Sequence, residues 1–364
     1  MKLHLYFAQK YLTLFFMILS GFFIFMWLVE LLEHIRRFDA SELGFAQLSY
    51  LAVLHLPQVL YQILTLVVLL TAVALFITLA RTSELVIARA TGRSALMSLL
   101  APAAAALLLG LGTVAVLNPL VATTSKLYEV EVSKLRGNAS TISVSSDGLW
   151  LRQGDGNKQT AIRAARTNLD GTVLFNVVFY GFSNDGTPIY RINATEAALG
   201  DGEWNLKNAK IWDFTIDGVV EENAIIAATH SVASDLTPEQ IRDSFGTPSS
   251  ISIWSLPAFI DQLESAGFSA RNHVVWFHTE LARPLSFVAM VFIGAVFTLR
   301  HTRFGRTGLM VLLAILSGFV VYFVSSLTQL MGQNGQLPVY LAVWSPSIAA
   351  ICLAMALLLH MEDG

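Results

Sequence analysis

The sequence predicts an α-helical membrane protein with six transmembrane helices and an inserted antiparallel β domain. Of its 364 residues, 54% are hydrophobic and 13% are charged, about half the charge of a typical soluble domain. The missing charge is confined to long apolar runs towards both ends of the chain, whereas the middle alternates short apolar segments with turns. The net charge of -3 gives no indication of a nucleic-acid partner.

Six apolar runs are long enough to cross a membrane, which takes about 20 residues. They lie at 11–32, 53–79, 95–120, 274–299, 307–330 and 338–360. The first run is longer than the ~7–15 residue core of a signal peptide, and no small-residue cleavage site follows it. We therefore expect it to be retained. Cys352, the single cysteine, falls in the last run and is expected to be a buried thiol.

Basic residues in the short connections predict the orientation of the spans, because Lys and Arg favour the cytoplasmic side. Three groups fall on one side: Lys2 and Lys10, then Arg81, Arg89 and Arg93, then Arg300, Arg303 and Arg306. Both termini are therefore expected in the cytoplasm, and the large central segment on the opposite side. Arg36 and Arg37, after the first span, are exceptions.

The polar segment "ARTSELVIARATGRS" (80–94) separates the second and third spans within domain 1–124. Thr82 or Ser83 can cap a short helix near 82–92, Glu84 suits its first turn and Gly92 can end it. The helix is either a connector whose arginines only set the topology, or a coupling helix that docks on a soluble partner through Glu84, Leu85 and Ala88.

The central segment, 125–255, is predicted to be an antiparallel sandwich, jelly roll or barrel. Turn sequences at 184–186, 200–202 and 217–218 separate runs rich in β-branched and aromatic residues. In "VLFNVVFYGF" (173–182) both alternating sets are apolar. Such a strand is either buried on both faces or presents an inward face that lines an apolar cavity.

The last part, 256–364, begins with an amphipathic helix and continues into spans four to six. Ser255 can cap this helix, and its apolar positions recur at helical spacing. The helix is expected to pack under the β domain or to lie on the membrane surface.

Recognisable catalytic and nucleotide-binding motifs are absent from the sequence. There is no Walker-type phosphate loop, no H-E-x-x-H motif and no cysteine pair, so we expect neither an enzyme nor a cofactor. Ionisable residues are also scarce at mid-span, with Glu280 and Arg283 near the start of span four. This argues against an ion-coupled transporter. A membrane-anchored sensor or scaffold remains an alternative, although no output domain is visible.

Several motifs resemble the LptF/LptG permeases of the lipopolysaccharide exporter. They are "RTSELVIARATGRS", "GLWLR" (148–152), "ARPLSFVAM" (282–290), "GFVVYFVSSL" (318–327) and "MGQNGQLPVYLAVWSPS" (331–347). Each motif alone has low specificity, but their order and spacing follow the family over nearly the whole chain. The first two motifs are more similar to LptG than to LptF.

The resemblance implies the non-catalytic membrane subunit of an ABC transporter that extracts lipopolysaccharide from the inner membrane. The implied partners are an LptF-like paralogue, a dimer of the LptB-like ATPase, and the periplasmic proteins LptC and LptA. The β domain is implied to be a periplasmic jelly roll that hands lipid onward. The implied ATPase contacts are Glu84, Leu85, Ala88 and Arg89.

Lipid contacts are expected on the first helix and in the β domain, at Leu31, Arg36, Arg37, Phe175, Val177 and Phe179. Where the family carries a basic residue along the first helix, this chain has Leu28, Val29 and Glu30. Arg36 and Arg37 either take the role of attracting lipid phosphates or pair with Glu33 at helical spacing. A second proline, eight residues after Pro57 in other family members, is Thr65 here.

Overall fold

The protein forms two compact units, which we call the helical unit and the β unit. The computed structural model describes residues 2–38, 44–82, 84, 95–136, 143–145, 148–154, 158–168, 172–183, 186–200, 202–215, 221–234, 236, 248–265, 269–298 and 307–363. The helical unit comprises Met1–Glu131, Ser252–Trp254 and Val274–Gly364, and the β unit comprises Val132–Ile251 and Ser255–His273.

Long helices make up most of the helical unit. They are α1 (Lys2–Arg37), α2 (Phe45–Arg81), α3 (Ala95–Gly112), α4 (Asn118–Arg136), α6 (Arg271–Thr298), α7 (Thr307–Gln333) and α8 (Val339–Asp363), and α5 (Leu256–Ser265) belongs to the β unit. A π-helical turn, Thr113–Leu117, joins α3 to α4. Within the described residues, six helical stretches are long and apolar enough to cross a membrane. Each overlaps one predicted span, which confirms the helical part of the predicted fold class.

The six stretches differ in how much of their surface is buried inside the unit. The most apolar windows of α2 and α6 are 56% and 67% buried, whereas those of α1 and α7 are 6% and 11% buried. Apolar side chains on α1 and α7 are stable when exposed to lipid or to another membrane helix, but not to water. The core thus sits around α2 and α6.

The π-helical turn holds a short segment of the returning chain. Such a turn interrupts the regular hydrogen-bond pattern of a helix. Trp254 Nε1 donates to the carbonyl of Ala115 (3.3 Å), and the backbone N–H of Ile253 donates to the side chain of Asn118 (2.8 Å). Ser252–Trp254 is thereby attached to the helical unit.

The β unit contains one antiparallel sheet in the described part of the chain. Its strands are β1 (Ser143–Ser145), β2 (Gly148–Gly154), β3 (Lys158–Thr167), β4 (Val173–Ser183), β5 (Pro188–Leu199), β6 (Glu203–Asp213) and β7 (Ile225–Ala233). They pair in chain order from β1 to β7. Gly186 and Gly202 stand in two of the predicted turns with φ of 85° and 81°, a conformation that favours glycine. The predicted antiparallel β domain is confirmed, and its strand order is that of a meander.

The sheet is rolled over its apolar face. Gln153 on β2 donates to the carbonyl of Ala233 on β7 (2.8 Å) and accepts from Trp204 on β6 (3.3 Å) and from Ser234 (2.9 Å). Since β2 lies five places from β7 in the strand order, these bonds require the sheet to curl back on itself. The described strands therefore form a rolled meander.

The alternation of buried and exposed residues changes phase in the middle of β4 and of β6. On β4, Leu174 and Val177 are both buried although they are three residues apart, whereas regular alternation would place them on opposite faces. Asn176 between them has a φ of 51°, and Asn208 on β6 has the same value. Asparagine tolerates this left-handed conformation better than most residues. The two alternating apolar sets of β4 therefore belong to one buried face, to which Leu174 contributes before Asn176 and Val177 and Phe179 contribute after it.

The single cysteine departs from expectation. Cys352 is exposed on α8, so the prediction of a buried thiol is wrong. An apolar run identifies a helix that can lie in a membrane, but it does not tell which of its faces points inward, because nearly every position is apolar.

Candidate functional site

A largely buried ion pair on α6 contacts a tyrosine of α2 in the helical unit. Glu280 on α6 is fully buried. It accepts hydrogen bonds from Arg283 Nη2 (2.7 Å) and Nε (3.1 Å), and also from the hydroxyl of Tyr61 on α2. The guanidinium lies 4.1 Å from the centre of the Tyr61 ring. The two charges thus neutralise each other, which offsets part of the cost of burying them.

A cavity of about 160 Å³ adjoins this pair. Its lining comes from α2, α6, α7 and α8 and combines polar groups with a larger apolar surface: Tyr61, Gln62, Thr65, Trp276, Thr279, Arg283, Ser286, Ala289, Met290, Val321, Tyr322, Ser325, Ser326, Gln329 and Ser347. At about 30 Å³ per water, the cavity has room for several water molecules or for a small polar group. Trp276 Nε1 is buried and has no hydrogen-bond partner among the described residues.

The cavity reaches the surface along α7. Tyr322 is 38% exposed and Ser326 is also exposed, and both line the cavity. Sequence reasoning noted Glu280 and Arg283 but not the cavity. The signal that could have found it is the run of polar residues in the otherwise apolar α7, at 325, 326 and 329. Thr65, which replaces the family's second proline, also lines it.

Glu30 is part of a polar network that ties α1 to α2 and α4. Its carboxylate lies 2.7 Å from His55 Nδ1. His34 contacts the Glu30 carbonyl (2.6 Å) and the hydroxyl of Tyr128 (3.0 Å), and the His55 ring stacks on Tyr128. The acidic residue that departs from the family pattern is therefore used for packing between helices.

The expected lipid contacts on α1 occupy different environments. Leu31 is buried against Leu48 and Ala52. Arg36 is exposed and donates to Glu33 (3.0 Å), so the pairing expected as its alternative role is present. Arg37 is exposed. A role of either arginine towards lipid phosphates stays a prediction.

The expected lipid contacts in the β unit lie on two faces of β4. Val177 and Phe179 are fully buried inside the roll, where Phe179 packs edge-on against Trp204, and Phe175 is 37% exposed. The change of phase at Asn176 separates Phe175 from the other two. The structure therefore does not bring this predicted set together.

Glu84 lies just beyond the end of α2 and is bound to α1. Lys10 Nζ donates to both carboxylate oxygens (2.9 and 3.1 Å), and the Thr82 hydroxyl donates to one of them (2.9 Å). Partial burial raises the pKa of Glu84, and the hydrogen bonds from Lys10 and Thr82 lower it. The lowering outweighs the raising, so the pKa lies below the ordinary glutamate value. Leu85, Ala88 and Arg89 lie outside the described residues.

The described residues contain six helices long and apolar enough to cross a membrane and an antiparallel β unit inserted between them, an architecture typical of a multi-pass membrane protein. The family "Lipopolysaccharide export system permease LptF/LptG" matches residues 5–360, and the chain belongs to this family. The chain is also similar to the lipopolysaccharide export system permease protein LptG of Haemophilus influenzae (strain ATCC 51907 / DSM 11121 / KW20 / Rd). The two are 22% identical over 341 residues, which cover 92% of each chain. The resemblance to this family is confirmed.

Proposed function

We propose that this chain is an LptG-like membrane subunit of an ABC transporter that extracts lipopolysaccharide from the bacterial inner membrane. The observation that carries the proposal is the family match over residues 5–360, which includes both the helical unit and the β unit. An LptF-like paralogue completes the permease, a dimeric LptB-like ATPase supplies the energy, and LptC- and LptA-like proteins accept the lipid.

The physical chemistry of the substrate explains why such an exporter needs both units. At about 0.8 kcal/mol per CH2, an acyl chain of ~12 carbons costs roughly 10 kcal/mol to expose to water. A lipid with several chains needs an energy source and an apolar route. In this proposal the buried face of the sheet, which includes Val177 and Phe179, provides apolar surface beyond the membrane, here or in the paralogue.

The proposed orientation has both termini in the cytoplasm and the β unit in the periplasm. The ion pair between Lys10 and Glu84 supports one part of it, because it places the start of α1 and the segment after α2 at the same end of the helical unit. Together with Arg81 and the basic residues at 89 and 93, this end carries the positive charge typical of the cytoplasmic side.

Energy coupling is proposed at the segment near 82–92, with Glu84 as its first anchored residue. Because Lys10 and Thr82 hold the Glu84 carboxylate, a displacement of this segment by the ATPase also displaces α1 and α2. The coupling contact with the ATPase is proposed to include Leu85, Ala88 and Arg89.

The cavity beside Glu280 is the proposed place where the helical unit meets the polar part of the lipid, through the hydroxyl, amide and guanidinium groups of its lining. Its opening along α7 coincides with one of the two helical stretches that are least buried in the chain, and a lipid can reach such a surface from the bilayer. The exposed residues Tyr322 and Ser326 at the opening are then the first to meet it.

Photocrosslinking in cells tests this function. A photoreactive phenylalanine analogue at Tyr322 is expected to form adducts with lipopolysaccharide, because Tyr322 lines the cavity. The same analogue at Phe323 is the matched control, since Phe323 is adjacent, 68% exposed and outside the cavity lining. Absence of adducts at Tyr322, or equal adducts at both positions, would contradict the proposed entry site.

A further inference from the structure

A row of aromatic and cationic side chains crosses the β unit's sheet on the face that points away from its apolar interior. We call it the outer row, and its members come from strands β2 to β6: Trp150, Arg163, Tyr180, Arg191, Trp212 and Lys210. Tyr180 alternates with buried Phe179, and Arg191 alternates with buried Ile192. Because successive residues of a strand point to opposite faces, the outer row lies opposite the interior.

Neighbouring members of the outer row hold one another in place. The rings of Trp150 and Tyr180 stack with their planes 15° apart. The guanidinium of Arg191 lies 5.7 Å from the Tyr180 ring and 5.3 Å from the Trp212 ring, and Lys210 Nζ lies 4.8 Å from the Trp212 ring. Each cation–π contact of this kind is worth about 0.5–1 kcal/mol at an exposed site. The cations are therefore ordered before any ligand arrives, which lowers the entropy cost of binding.

The charge of the outer row favours an anion. Arg191 and Lys210 contribute positive charges, and Glu221 accepts hydrogen bonds from Lys210 and from Trp212 Nε1. Glu221 thus offsets the charge of Lys210, and Arg191 keeps its positive charge. Among the described residues, Nε is the only nitrogen of Arg191 that donates a hydrogen bond, to Asn193 (3.1 Å), so its terminal nitrogens can serve a ligand.

We propose that the outer row binds the phosphorylated sugar chain of the transported glycolipid, an inference that rests on the proposed function. A planar guanidinium donates two parallel hydrogen bonds to a phosphate. The half-buried Trp and Tyr rings supply aromatic surface whose negative faces attract the C–H groups of sugars. The outer row thus matches a chain that alternates anionic groups with sugar rings.

The two faces of the sheet match the two halves of such a lipid. The interior, with Phe179 and Trp204, is apolar, and the outer row is cationic and accessible to water. Trp150 at one end of the outer row lies on β2, the strand whose Gln153 closes the roll. A sugar chain that leaves the interior at this closure therefore meets the outer row first at Trp150.

Binding of an acyl-free oligosaccharide to the full-length chain in nanodiscs tests the inference. The probes are the phosphorylated oligosaccharide released from lipopolysaccharide and the same material after phosphatase treatment. Dephosphorylation is expected to weaken binding by about tenfold or more, as is Arg191→Gln, because each removes a charge-assisted hydrogen bond. Lys207→Gln is the matched control, since Lys207 lies on β6 outside the outer row, is 61% exposed and pairs with Glu196.

Further variants separate recognition from folding. Arg191→Lys keeps the charge and loses the planar fork, so its affinity is expected between those of the wild type and Arg191→Gln. Lys210→Gln removes a cation at the end of the outer row and is expected to weaken binding without a change in the circular dichroism spectrum. Equal affinity for both oligosaccharides, or an equal loss in Lys207→Gln, overturns the inference, as does tighter binding of an acidic peptide, which assigns the surface to a protein partner.

The photocrosslinking at Tyr322 distinguishes this inference from the proposed function. Lipopolysaccharide adducts at Tyr322 without oligosaccharide binding would refute the outer row as a sugar site and leave the export function intact. A lack of both would refute both.

Discussion

Two ion pairs with the same spacing in sequence have opposite environments. Glu280 and Arg283 are three residues apart on α6, where Glu280 is fully buried and Arg283 largely so, whereas Glu33 and Arg36 are three residues apart on α1 and are exposed. A buried charge that loses its partner costs about 3–5 kcal/mol, but an exposed pair contributes about 0–1 kcal/mol. The pairs therefore predict very different responses to the same substitution.

Glu280→Gln is expected to destabilise the protein strongly, because it leaves Arg283 buried without a counter-charge. Thermal unfolding in detergent should show a clearly lower Tm, and the matched variant Glu33→Gln should leave the Tm nearly unchanged. The double variant Glu280→Gln with Arg283→Met should recover part of the loss, since no uncompensated charge remains. Equal effects of Glu280→Gln and Glu33→Gln would contradict the assignment.

Sequence spacing identified one of these pairs but not the environment of the other. The Glu33–Arg36 contact follows from i, i+3 spacing on a helix. The bond between Glu280 and Tyr61 joins residues 219 positions apart, and no local pattern contains that information. The cavity beside Glu280 was missed for the same reason.

A close approach between α3 and α6 falls at a glycine of α3. A Cβ atom at Gly110 would lie 2.5 Å from the Cα and 3.0 Å from the Cβ of Pro284. Backbone atoms cannot move aside as a flexible side chain can. Pro284, which belongs to the motif that resembles the family's fourth span, therefore depends on the absence of a side chain at 110.

Gly110→Ala is expected to destabilise the helical unit by about 1–3 kcal/mol, the usual cost of overpacking a core. Gly112→Ala is the matched control on the same helix, because no heavy atom lies within 4 Å of its added Cβ, and alanine favours a helix over glycine. Thermal unfolding of the two variants in detergent should lower the Tm for Gly110→Ala alone. A similar change in both would refute the close approach as its cause.

Sequence patterns predicted the type of sheet in the β unit but not the details of its strands. Alternation and turn glycines predicted an antiparallel β domain, and the described strands form one antiparallel sheet. They did not reveal that Asn176 and Asn208 adopt positive φ and shift the buried face, because asparagine is also common in ordinary turns. The sequence therefore left two accounts of β4 open, and neither describes its single buried face with a change of phase.

At the scale of the whole molecule, the contact between Lys10 and Glu84 connects the proposed coupling segment to α1 and α2. The family resemblance singled out Glu84, but its partner lies 74 residues earlier and was not predicted. This raises a question that substitution of Glu84 alone cannot answer. Glu84 acts either by contacting the ATPase or by positioning the segment through Lys10.

A charge exchange separates the two roles. Glu84→Lys is expected to abolish co-purification of the ATPase, whereas Lys10→Glu with Glu84→Lys should restore it if the ion pair is what matters. We expect restoration, because both carboxylate oxygens are bound to Lys10. Failure of the double variant would indicate direct contact with the ATPase, and normal co-purification and lipid release in Glu84→Lys would refute the coupling role altogether.

The lowered pKa of Glu84 sets the pH range of this contact. A carboxylate whose pKa is lower in the folded state stabilises that state above its ordinary pKa of 4.5 and loses this contribution as the pH falls through the folded-state value. The contact is therefore fully formed at neutral pH.

The consecutive strand order also determines how the β unit can form during synthesis. Each strand pairs with the one made just before it, so most of its contacts are local, and folds with local contacts form quickly. The bonds of Gln153 are long-range, since they join residues 51, 80 and 81 positions apart. The sheet can therefore grow strand by strand, but its apolar face stays open until β7 has been made. During that interval the unit is most prone to aggregation, and the yield of the protein depends on how soon the last strand arrives.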